Sequence, residues 1–145
     1  MKLKLVLAVT TTLCLGLGAA IAADEPQVVR QEMMKKVGGA MGAMGAIAKG
    51  EKPFDAATVK TSLETIAEVA KAFPDQFPAG SETGMDSEAS PSIWENKADF
   101  DAKSQALAKV AEEQLAQLPT DQAGVGSVMQ AVGATCGDCH RPYRQ

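Results

Sequence analysis

The chain has 145 residues, 46% hydrophobic and 22% charged, enough to bury the core of one domain and unlike a disordered composition. Its formal net charge is −4 with a pI near 5.0, which argues against non-specific nucleic-acid binding. Aromatics at 4% argue against a strand-rich domain, and the single His excludes His-rich metal sites and His–His acid–base pairs.

Met1-Lys-Leu-Lys4 carries positive charge, Leu5 to Ala20 carries none, and Ala20-Ile-Ala22 places small residues at a cleavage site. This three-part pattern predicts a secretory signal peptide over residues 1–22 and a mature domain over 23–145. A retained membrane anchor is the alternative, weakened by Thr10-Thr11-Thr12 and by the glycines of the segment. Leu13 stands before Cys14 where a lipoprotein site wants a small residue. Cleavage removes Cys14 and leaves no membrane span, which predicts a periplasmic protein of a Gram-negative bacterium.

Four helical blocks follow. Asp24 or Glu25 with Pro26 starts the first, and Met34, Val37, Met41, Met44 and Ala48 form one stripe of it. Gly38, Gly42 and Gly45 form a second, small-residue stripe, suited either to close approach of another chain or to the core. Lys49-Gly50 ends the block. Asp55 caps the second helix, Val59, Leu63, Ile66 and Phe73 supply its apolar face, and Pro74 stops it. Residues 74–91 form one long loop. Ser90-Pro91-Ser92 opens the third helix, marked by Ile93, Trp94, Phe100, Leu107, Val110, Leu115 and Leu118. Thr120 or Asp121 caps the fourth, which carries Val125, Val128, Met129 and Val132 and runs into Cys136. With no strand alternation, the pattern predicts an all-α, up-down-up-down four-helix bundle.

Cys136-Gly-Asp-Cys139-His140 is a C-x-x-C-H motif. Two thiols three residues apart share one side of a helical turn and can add to the two vinyl groups of one haem. The next residue presents an imidazole to the iron. A thioredoxin-like pair would open a helix after a strand, a zinc site needs about four ligands, and a disulfide this short closes almost no loop. The motif therefore predicts one covalent haem c held by Cys136 and Cys139, with His140 as proximal iron ligand. No Met follows His140, so a sixth ligand must come from an upstream helix or be absent. In an up-down-up-down bundle the fourth helix ends beside the start of the first. Met34, on the inward stripe there, should face the distal side of the iron, whereas Met33 lies about 100° away around the helix. Met41 and Met44 stand roughly 10 and 15 Å further along, and Met129, on the helix of the proximal His, reads as core.

These features resemble the class II cytochromes c, cytochrome c-prime and its low-spin relatives. The resemblance rests on C-x-x-C-H-x-x-[YF]-R over Cys136–Arg144, on the Gly45–Asp55 turn and on Pro91-Ser-Ile-Trp94. It implies a haem near one end of the bundle and often a homodimer through the first two helices. It also implies that Arg30 and Gln31 lie beside the haem propionates and that Arg144 lies near the proximal His. The family divides between a Met sixth ligand and a five-coordinate iron beneath an apolar residue. The first alternative implies an electron carrier that docks a redox partner; the second implies a protein that binds NO or CO. No catalytic nucleophile or carboxylate pair is visible, so no enzyme is expected. A bundle without cofactor is the remaining alternative.

Overall fold

The computed structural model describes residues 25–145; the predicted signal peptide and Cys14 lie outside the described residues. Helix α1 spans Pro26–Ala48, α2 Ala56–Ala72, α3 Ser92–Glu95, α4 Lys97–Ala116 and α5 Gln122–Tyr143. A 3-10 turn over Phe73–Gln76 follows α2. Among the described residues the only strand-like pairing is an isolated antiparallel bridge between Ala89 and Arg144.

Local chemistry sets most helix ends. Pro26 occupies the first turn of α1, where its missing N–H costs nothing. Gly50 takes a φ of +75° just past the end of α1, a conformation that favours glycine. Asp55 caps α2 by accepting from the amides of Ala57 and Thr58, each at 3.2 Å. Asp121 caps α5 by accepting from the Gly124 amide at 2.8 Å. The third predicted helix is two helices. Asn96 leaves helical geometry at φ −128°, ψ 47° and divides α3 from α4. The break lets Ile93 of α3 and Phe100 of α4 enter one buried cluster.

The four long helices form a ring in which α1 packs on α2, α2 on α4, α4 on α5 and α5 back on α1. Gln122 at the start of α5 donates to the carbonyl of Ala48 at the end of α1, so these two helices run antiparallel. The interior divides into two clusters. One runs along the bundle and includes Met44, Leu63, Ile66, Val125 and Val132, with Cys136 packed against it. The other joins Phe77, Ile93, Phe100 and Tyr143, with Cys139 packed against it. The helical turn of the C-x-x-C-H motif lies where the two clusters meet.

No described helix is long and apolar enough to cross a membrane. The small-residue stripe of α1 serves different neighbours at different heights. A Cβ at Gly45 would touch Met129 at 3.6 Å, Gly38 lines the cavity described below, and a Cβ at Gly42 would meet nothing.

Candidate functional site

Cys136, Cys139 and His140 stand on the last two turns of α5. Both thiols are free and half-buried. Burial pushes both thiol pKa values up. A redox-active pair needs the opposite shift, usually at a helix N-terminus, and here α5 begins at Gln122, well before the motif. Burial and the charge of Arg144 push the His140 imidazole pKa down against the pull of Glu88. The ring is thus held neutral near pH 7, the form that ligates a metal. Pro142 sits inside the final turn without breaking it, and the Arg144 amide closes the helix on the His140 carbonyl at 3.1 Å.

A cavity of about 800 Å³ opens beside the motif. Cys136, Cys139, His140 and Gly133 line it from α5, and Met34, Val37, Gly38 and Met41 line it from α1. Phe73, Phe77, Phe100 and Tyr143 add an aromatic side. Phe77 and Phe100 are 4.6 Å apart between centroids, and Phe100 and Tyr143 5.3 Å, all edge-to-face. The Tyr143 hydroxyl donates to Asp99 at 2.6 Å. Residues 86–89 of the long loop, with Lys103, Ser104 and Leu107 of α4, complete the wall.

Every residue that sequence reasoning assigned to the site lines this one cavity, Arg30, Gln31 and Arg144 included. Met44 does not; it lies wholly inside the bundle core. Met41 does line the cavity, in Met34's stripe. Arg144 pairs with Glu88 of the loop, its Nε donating at 2.6 Å. Arg30 is 5% exposed. Its terminal nitrogens donate to Gln76 O at 3.1 Å, Ser81 Oγ at 3.0 Å, Ser81 O at 2.8 Å and Ser87 Oγ at 3.2 Å. Its guanidinium also lies 4.6 Å from the Phe77 centroid and 5.7 Å from that of Trp94. Gln31 donates to Met85 O at 2.7 Å, and Gln27 to Thr83 O at 2.7 Å.

Sequence reasoning missed Gln27 and the aromatic side, and it left open which residues of the 74–91 loop form the wall; residues 86–89 do. Gln27, Arg30 and Gln31 are spaced three and four apart, the spacing of one helix face, and that was the available signal. The loop partners lie 46 to 57 residues away, beyond any local pattern.

The cavity accepts a haem on its own terms. It is mostly apolar, it sets two thiols and a neutral imidazole on one wall, and its volume lies in the range of cofactor sites. The side-chain oxygen Oε1 of the buried Gln27, which also lines it, has no hydrogen-bond partner among the described residues. Such an orphaned acceptor is expected beside a missing group.

Fold and cavity together define an antiparallel four-helix bundle with a haem c attachment motif near the end of its last helix. The family model for cytochrome c' matches residues 25–144, and the chain belongs to that family. It is 57% identical to cytochrome c-556 of Agrobacterium fabrum over 144 residues, covering 99% of this chain and 97% of that protein. Cytochrome c' from Rhodopseudomonas palustris superposes with a TM-score of 0.80 at 36% identity, over 85% of this chain and 98% of that one. A structural model of oxidised R. palustris cytochrome c556 superposes with a TM-score of 0.77 at 33% identity, over 85% and 98%. The chain is thus a haem c protein of this family, an electron carrier or a gas binder.

Proposed function

We propose that the chain is a periplasmic electron carrier, exported by residues 1–22, whose haem c is attached through Cys136 and Cys139 and ligated by His140 and Met34. The observation that carries this reading is that Met34 of α1 and His140 of α5 line one cavity, with both thiols on the His140 wall. The bound haem supplies one-electron oxidation and reduction. The chain's own residues do the rest. The neutral imidazole of His140 offers a lone pair without prior proton loss. The Met34 thioether is half-buried beside Val37 in an apolar wall, where few groups compete with it. Thioether ligation raises the potential and keeps coordination alike in both oxidation states, so little rearranges when the electron moves.

His140 and Arg144 are exposed, which places the motif's edge within reach of a redox partner. The chain's net negative charge favours a partner with a basic patch. The high identity to a cytochrome c-556 supports the carrier reading. A homodimer through α1 and α2 would use the shallow groove lined by Gly39, Ala40, Ala43, Thr61 and Thr65, because Gly38 lines the cavity and Gly45 faces Met129.

The test is the absorption spectrum of the holoprotein, oxidised and reduced, with and without CO. The expected spectrum is low-spin, shows a Met–iron charge-transfer band and ignores CO. Met34→Ala should turn it high-spin and CO-responsive. A wild-type spectrum that is already high-spin and shifts with CO overturns the Met34 ligand and assigns the cavity to CO or NO.

A further inference from the structure

Among the described residues two large apolar side chains are exposed, Val28 at 37% and Met85 at 57%. They flank one feature. Gln31, one turn after Val28 on α1, donates to the Met85 carbonyl at 2.7 Å, and Gln27, the residue before Val28, donates to the Thr83 carbonyl at 2.7 Å. Gln27, Gln31 and Asp86 all line the cavity, so the exposed pair stands on its rim. The backbone at Met85 is strained as well. Met85 and Asp86 take φ values of 51° and 53°, directly after Gly84 at 97°. Aspartate tolerates the left-handed region, but a methionine side chain gains nothing from it. Core packing offsets neither the strain nor the exposure of Met85. Strained residues of this kind gather where a protein meets a ligand or partner, and exposed apolar patches with a polar rim mark interaction sites.

The charges around the pair are mostly acidic. Glu25 and Glu32 lie one turn to either side of Val28 on its face of α1, and Asp86 follows Met85. Lys35 continues that face, and Glu32 pairs with it. A second copy of this chain would bring the same acids against these, so the surface is unsuited to self-association.

We infer that Val28 and Met85 form the docking contact for a basic redox protein, one that presents a small apolar patch ringed by lysine or arginine. The apolar contact excludes water at the cavity rim, and the acids orient the partner. One electron crosses at this rim, lost by the reduced protein and gained by the oxidised one, and no bond forms or breaks. The inference rests on the electron-carrier reading and names the face that carrier uses, the Gln31 rim rather than the His140 and Arg144 edge.

The experiment uses the holoprotein and, as probe, a mitochondrial cytochrome c, a small basic haem protein. Stopped-flow mixing reads the second-order rate of electron transfer against ionic strength. Amide NMR reads the footprint of the same probe made redox-inert by zinc substitution, which should cover residues 28–32 and 84–86. Met85→Asn keeps a residue that accepts positive φ and removes the apolar tip, so the rate should fall about fivefold, the size of one modest interface contact. Its visible spectrum and reduction potential should stay as in wild type, because Met85 does not line the cavity. Met85→Leu keeps an apolar side chain and should hold the rate within about twofold of wild type. Asp86→Asn and Glu32→Gln should slow the reaction at low salt and flatten its salt dependence. Glu113→Gln removes the same charge near the other end of α4 and should slow it less. A footprint centred on His140 and Arg144, no footprint at all, a Met85→Asn rate within about twofold of wild type, or a Leu variant as slow as the Asn variant overturns this docking surface. Electron transfer that persists in any of those cases leaves the carrier reading standing. A footprint over 28–32 and 84–86 without electron transfer upholds the surface and overturns the carrier reading.

Discussion

Met34 and Met44 belong to one helical stripe, yet their truncation should have opposite consequences. Met44 is 0% exposed and sits in the core with Leu63, Ile66, Val125 and Val132. Met44→Ala removes three heavy atoms from a site that the surrounding helices cannot close, at a cost of about 3 kcal/mol within the usual ~2–5. Unfolding entropy is about 2.1 cal/mol/K per residue, so a domain of roughly 120 residues gains ~0.25 kcal/mol/K at its midpoint. The expected fall in Tm is therefore about 12 °C. The absorption spectrum of the iron should stay as in wild type, because Met44 does not line the cavity. Met34 is half-buried and lines the cavity, so Met34→Ala should change the spectrum. Circular-dichroism melts of the holoproteins, read beside their visible spectra, make the comparison. A Met44→Ala protein that melts within about 3 °C of wild type, or whose iron spectrum changes, would refute the division between core and site.

Two glycines of α5 should likewise part company. A Cβ at Gly126 would meet nothing within 4 Å, so Gly126→Ala should stabilise the protein by ~0.5–1 kcal/mol through helix propensity. A Cβ at Gly124 would stand 2.7 Å from the ring carbon Cβ of Pro119, and that overpacking, typically ~1–3 kcal/mol, should outweigh the same propensity gain; chemical denaturation of both variants decides, and a stabilised Gly124→Ala would contradict the turn geometry. Tyr143 is the chain's single tyrosine, so tyrosinate absorbance, taken as wild type minus Tyr143→Phe, titrates it alone. Its hydrogen bond to Asp99 and then burial push its pKa up to about 12. Because the folded value lies above the unfolded value near 10, the stability from this bond is complete below about pH 10 and is lost as pH rises toward 12. A tyrosinate midpoint near 10 in the folded protein, or a midpoint unmoved by Asp99→Asn, would contradict the contact.

The sequence by itself determined those features whose causes lie within a few residues of one another. The C-x-x-C-H motif is one turn of helix, so its spacing states its chemistry without the rest of the fold. Asp55 and Asp121 cap helices through amides two or three residues ahead, and Gly50 ends α1 by its own backbone freedom. The 3.6-residue period announced the bundle, because a helix with one apolar face must bury it against others. Tertiary structure decided what depends on distant partners. It separated Met34 from Met44 on one stripe, since periodicity gives a direction around the helix but not what waits there. It broke the third block at Asn96, where turning Ile93 and Phe100 into one aromatic cluster outweighs an unbroken ladder of local hydrogen bonds. It took Arg30, which the family resemblance places at the cofactor's edge, and committed its terminal N–H groups to oxygens 46 to 57 residues away. Hydrogen bonds and packing act over a few ångströms, and only the folded chain determines which residues come that close.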